Sequence, residues 1–146
     1  MNQWELTHID ASLKEERWHT PTDWSVLLPG LFGNSVHEEA ATQTWSRLID
    51  ELCRIRNLQD DWHGEGTEAP HPALVDGAIT LARCLQTKGV PPADRVIAGV
   101  NGTTYFEWHT PLGYWEIEVT SPMNAECRWV RKGSNVSEVI SLTRRL

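Results

Sequence analysis

The fold is decided by residues 95–120, RVIAGVNGTTYFEWHTPLGYWEIEVT, in which apolar and polar side chains alternate. Alternation is the period of a half-buried β-strand, and Asn101-Gly102 is a strong signal for a hairpin between two such strands. Pro111-Leu112-Gly113 marks a second turn. The sequence therefore predicts an antiparallel meander, with strands over 95–100, 103–109, 114–120 and 126–131.

The stretch over residues 136–142 permits two interpretations. Its β-branched residues favour a strand, whereas Val136, Val139 and Ile140 could share one face of a helix. We favour the strand, which gives the sheet four or five strands.

Two helices are expected before the sheet. Over residues 36–56 apolar side chains recur at the helical spacing, and Ser35 with Glu38 forms the pattern of a capping box. The second helix begins at Pro72, a residue suited to the first helical position, and ends near Lys88-Gly89. Gly77 inside this helix indicates a site of close packing. The predicted class is α+β, with two helices packed on one face of the meander.

A chain of 146 residues fits a single domain. Residues 1–34 contain several helix breakers and are expected to form an irregular N-terminal arm, followed by an α+β domain over 35–146. Tryptophan buries a large area at little entropic cost and is enriched at binding hot spots. Trp4, Trp18 and Trp24 are therefore candidate contacts with a protein partner, although a tryptophan cluster folded back on its own domain is slightly favoured.

Composition excludes several classes of function. The net charge of −7 opposes direct nucleic-acid binding, which depends on neutralising phosphates. The N-terminal residues lack a signal-peptide pattern and no apolar run is long enough to span a membrane, so we expect a cytoplasmic protein. The three cysteines are isolated and fit core thiols better than a zinc or redox motif. No cofactor is expected.

Alternation places Glu107, Glu116 and Glu118 together on the sheet face opposite the helices. Like charges on neighbouring strands cost stability unless something balances them. Arg128 on the fourth strand could neutralise the row. Alternatively, the acidic face docks a basic surface of a partner protein or holds a cation.

The acidic turn DDWHGEG, residues 60–66, joins the two predicted helices. In the structural interpretation it is a rigid connector, with glycines where the backbone needs positive φ and an indole that plugs the junction. Its members are then Asp61, Trp62, Gly64 and Gly66. In the chemical interpretation a metal-assisted hydrolase uses a cluster of polar side chains. Those side chains are Asp60, Asp61, His63 and Glu65. We assign no catalytic residue, because the chain has no companion motif such as HExxH.

The run DWHGEGTEAP, residues 61–70, resembles the DWDGxGAxxP signature of small bacterial proteins that have no established activity. These proteins follow the signature with a helix, an FEW-type strand and an xEIE-type strand. Residues 106–108 and 115–118 match those strands, and the resemblance covers about residues 45–120. His63 stands where the signature has Asp. The resemblance implies a bacterial origin and a recurrent small fold.

These observations favour a non-enzymatic bacterial interaction module: an adaptor, an inhibitor or a subunit of a protein complex. Its contacts would be the tryptophan-bearing arm and the acidic sheet face. Two alternatives stay open, namely the metal-assisted hydrolase and a small-ligand binder with a tryptophan-lined pocket.

Overall fold

The computed structural model describes residues 3–9, 38–135 and 137–145. Within these ranges the chain has two helices and six strands, an α+β arrangement as predicted. The elements are β1 (Gln3–Ile9), α1 (Glu38–Arg56), α2 (Pro72–Thr87), β2 (Arg95–Ala98), β3 (Thr104–Thr110), β4 (Gly113–Ser121), β5 (Asn124–Arg131) and β6 (Ser137–Arg145). The predicted helix cap at Ser35 and the arm residues Trp18 and Trp24 lie outside the described residues. Neither α1 nor α2 is long and apolar enough to cross a membrane.

The six strands form one antiparallel sheet in the order β1-β6-β5-β4-β3-β2. The meander from β2 to β6 is confirmed, and residues 137–145 form a strand rather than a helix. The arm is predicted to be irregular, and this is wrong for residues 3–9, which pair with β6 from Gln3↔Arg145 to Ile9↔Ile140. This pairing satisfies the backbone groups on one side of β6 and makes β1 the edge strand of the sheet.

Trp4 belongs to the core of its own domain. Its side chain is 2% exposed, and its indole N–H donates a 3.2 Å hydrogen bond to the Gly77 carbonyl oxygen on α2. The assignment of Trp4 to a partner-binding surface is therefore corrected, because its large apolar area is already used to join β1 to α2.

Close packing at Gly77 is confirmed. A Cβ atom at this position would lie 2.6 Å from the carbonyl oxygen of Pro122, in the turn between β4 and β5. The start of α2 is also as predicted, with Pro72 in the first turn and His71 Nδ1 accepting a 3.1 Å hydrogen bond from the Ala73 N–H. The missing side chain at Gly77 thus lets α2 approach the sheet.

Tryptophan side chains fill much of the space between the helices and the sheet. Trp45, Trp108 and Trp115 are all 2% exposed or less, and Trp129 is partly buried against the same core. Cys127 is buried, as predicted for a core thiol. Cys53 is exposed on α1, so its prediction as a core thiol is wrong. The buried stripe of α1 includes Leu52 and Ile55, and the intervening Cys53 points away from it.

The β2–β3 hairpin has a three-residue loop instead of the predicted two-residue turn. The Gly99 N–H donates a 2.8 Å hydrogen bond to the Thr103 carbonyl oxygen, which leaves residues 100–102 as the loop. Gly102 ends this loop with φ of 80°. Such loops commonly place a left-handed glycine at their third position.

Candidate functional site

The sheet face opposite the helices carries the predicted glutamates. Glu107 pairs with Glu116 across β3 and β4, and Glu118 pairs with Tyr105 on one side and Glu126 on the other. Their neighbours along the strands are buried under the helices, so the prediction that the three glutamates share the opposite face is confirmed. We call the ionisable side chains of β2 to β5 on this surface the acidic face; they are Arg95, Tyr105, Glu107, His109, Tyr114, Glu116, Glu118, Glu126 and Arg128.

Glu107 is buried, which corrects its predicted exposure. The residue is only 6% exposed although it lies on the face without helices. Arg95 on β2 forms an ion pair with Glu107 Oε2 through its Nε atom, and His109 Nε2 lies 4.0 Å from the same oxygen. Tyr114 contacts the other carboxylate oxygen. Long side chains from both neighbouring strands therefore cover this carboxylate.

Tyr114 connects two carboxylates. Its hydroxyl oxygen lies 2.9 Å from Glu107 Oε1 and 2.6 Å from Glu116 Oε2. Burial, together with the hydrogen bonds to Glu116 and Glu107, raises the pKa of Tyr114 far above that of a free phenol. The hydroxyl therefore keeps its single hydrogen and donates it to the carboxylates.

Arg128 neutralises only part of the row. Its Nη1 atom lies 3.1 Å from Glu116 Oε1, which confirms the predicted ion pair at that glutamate. Glu118 Oε1 instead accepts a 2.9 Å hydrogen bond from the Tyr105 hydroxyl. The ion pairs found within the described ranges include neither Glu118 nor Glu126.

The acidic face has a formal excess of negative charge. Its four glutamates and two arginines leave two unbalanced negative charges, −4 + 2 = −2, with His109 neutral. The excess lies at Glu118 and Glu126, which are directly opposite each other on β4 and β5. This part of the face can attract a cationic group.

The acidic turn is closed by its own backbone and carboxylates. Asp61 adopts φ of 65°, and its Oδ1 accepts a 2.8 Å hydrogen bond from the Gly66 N–H. Gly64 and Gly66 have φ of 107° and 87°, values that favour glycine. Asp60 Oδ1 accepts a 3.0 Å hydrogen bond from the Ala69 N–H. These contacts make the segment an ordered connector between α1 and α2.

Trp62 contributes to the turn rather than to the core. Its indole is partly buried, and Nε1 donates a 3.2 Å hydrogen bond to the Glu68 carbonyl oxygen. The hydrophobic core does not include it. The predicted role of Trp62 as a plug of the helix junction is therefore corrected, because its indole bonds within the turn and is not part of the core.

The side chains proposed for metal chemistry do not converge. Among residues 3–9, 38–135 and 137–145, no group of three or more His, Cys, Asp or Glu side chains is arranged to hold a metal ion. This includes the turn, where the carboxylates of Asp60 and Asp61 bind backbone N–H groups. His63 and Glu65 are exposed.

Sequence reasoning missed the residues that organise the acidic face. Tyr105 and Tyr114 each stand two positions before a glutamate, so alternation already places them on the same face as Glu107 and Glu116. Their hydrogen bonds depend on the β3–β4 register, which alternation alone does not provide. Arg95 is brought to Glu107 by the pairing of β2 with β3.

Comparisons with protein-family models, curated proteins and solved structures found no significant match to this chain.

Proposed function

We propose that the chain is a non-enzymatic protein-interaction module that binds a basic surface of another protein through its acidic face. The observation that carries this proposal is the direct pairing of Glu118 with Glu126 on neighbouring strands. Like charges placed directly opposite destabilise a sheet, and no ion pair of the described part of the chain offsets this pair. Lysine or arginine side chains of a partner would supply the balancing charge.

The chemistry of the surrounding side chains supports a cationic partner. Tyr105 and Tyr114 are partly buried and place phenol rings among the carboxylates. Arginine and lysine bind well to carboxylates and to aromatic rings, and tyrosine is enriched at binding hot spots. The hydrogen bond from Tyr105 also fixes Glu118 before a partner arrives, which lowers the entropic cost of binding.

The edges of the sheet are poor alternatives for docking. β2 has only four residues and follows Pro91-Pro92, while β1 has a register shift between Leu6 and His8. Short strands, prolines and bulges are features that limit pairing of sheet edges with other chains. A partner is therefore better accommodated on the face than at an edge.

The proposal can be tested with a double variant and a control of equal charge. Glu118→Gln/Glu126→Gln removes two charges from the acidic face, and Asp50→Asn/Glu65→Gln removes two from exposed positions elsewhere. Hexalysine and hexa-arginine peptides serve as probes in calorimetric titrations at low salt. We expect the face variant to lose about tenfold in affinity, roughly 1.4 kcal/mol, and the control to stay close to the parent.

Two results would contradict the proposal. If the parent protein bound neither peptide, the claim that its acidic face binds a basic surface would be wrong. Equal weakening in both double variants would mean that net charge, rather than the acidic face, attracts the peptides.

No observation favours the two alternatives. The metal-assisted hydrolase depends on the acidic turn, whose aspartates hold backbone N–H groups. A tryptophan-lined pocket would need free indole surface, but Trp45, Trp108 and Trp115 are packed in the core.

A further inference from the structure

We draw no further inference here: the strongest candidate, the stacked Trp115–Trp129 pair on the helix-facing side of the sheet, where the buried Trp115 indole N–H has no acceptor among the described residues, carries nothing because the pair belongs to the hydrophobic core already described.

Discussion

The hydroxyl of Tyr114 lies 2.6 Å from Oε2 of Glu116, two positions along the same strand. Side chains at such positions project from the same face of a sheet, so the pair is formed within β4. The same hydroxyl also reaches the buried Glu107 on β3. One phenol hydrogen thus serves two carboxylates, and the removal of that donor should affect both.

Replacing Tyr114 with Phe should destabilise the fold. The variant keeps the ring but removes the hydroxyl, and Glu107 is too buried for water to replace the lost donor freely. Glu107 keeps its ion pair with Arg95 but loses the donor to Oε1, and removal of the donor to a buried polar atom costs about 1–3 kcal/mol. Urea unfolding followed by tryptophan fluorescence measures the change.

Tyr105→Phe is the matched control for that variant. It also removes one hydroxyl, but its acceptor Glu118 is only partly buried and remains accessible to water. We expect a smaller loss, about 0.5–1.5 kcal/mol. Equal losses of stability in the two variants would mean that the hydrogen bond from Tyr114 to Glu107 contributes no more than the one from Tyr105 to Glu118.

The two tyrosines should resist ionisation in the folded protein. The chain has only Tyr105 and Tyr114, and burial is the largest cause that raises the pKa of each. A raised folded pKa contributes stability that is fully present below the unfolded value, about pH 10, and is lost as the pH rises through the folded value.

The ionisation of Tyr105 and Tyr114 can be measured directly by the absorbance of tyrosinate as the pH is raised. We expect less ionisation near pH 10 in the native protein than in the unfolded chain, because the pKa of both tyrosines is raised in the fold. The same chain in urea should titrate near the usual value for a phenol, about 10. If a tyrosine of the native protein ionised near pH 10, its hydroxyl would have to be exposed to water rather than buried.

Gly77→Ala should destabilise the protein, although alanine normally favours a helix over glycine by about 0.5–1 kcal/mol. The added Cβ would meet the Pro122 carbonyl oxygen at 2.6 Å and force α2 away from the turn between β4 and β5. Such overpacking costs about 1–3 kcal/mol. Arg83→Ala, at an exposed position of the same helix, should change stability by less than about 0.5 kcal/mol. A Gly77→Ala protein more stable than the parent would contradict the close contact between Gly77 and the Pro122 carbonyl oxygen.

The acidic turn should be sensitive to backbone change and tolerant of charge change. Gly64 has φ of 107° and no neighbouring atom within 4 Å of an added Cβ, so Gly64→Ala tests backbone strain alone. We expect a loss of about 1–3 kcal/mol. Glu65→Gln at the adjacent exposed position should lie within about 0.5 kcal/mol of the parent. A large effect of Glu65→Gln would point to a role beyond the structure of the turn.

Acid should weaken the contact between α1 and α2. The hydrogen bond from the Arg56 guanidinium is the largest cause that lowers the pKa of Asp76. A lowered folded pKa contributes stability that is present above the unfolded value, about 3.9, and is lost as the pH falls through the folded value. The effect should be modest because both side chains are about half exposed, 44% and 50%.

Asp76→Asn isolates this contribution. The urea midpoint of the parent should fall more than that of the variant between pH 7 and pH 3, and the two should converge in acid. Identical pH profiles would mean that the ion pair adds no stability in solution.

Local sequence patterns predicted the parts of the fold that depend on nearby residues. The start of α2 at Pro72 and the strands β3 and β4 could be predicted from the sequence. Helix caps and the alternation of a strand are patterns that extend over only a few residues. β1 was missed because its partner is β6, at the opposite end of the chain. No short-range signal specifies such a pairing.

The candidate site was predicted in outline only. Alternation assigned Glu107, Glu116 and Glu118 to one face, which the register confirms. It did not predict that Glu107 is buried, because burial there depends on Arg95 and Tyr114 reaching across from neighbouring strands. Side-chain length and register, rather than polarity, determine which carboxylate remains accessible.

The pairing of β1 with β6 also sets an order of events during synthesis. β1 leaves the ribosome first among the described strands, while its partner is made last. We expect Trp4 to reach its final place in the core only once β6 is available, because β6 is the strand that holds β1 in the sheet. Exposed apolar side chains in such intermediates attract chaperones and promote aggregation. We therefore expect the nascent chain to be most prone to aggregation just before β6, the last of the described strands, is made.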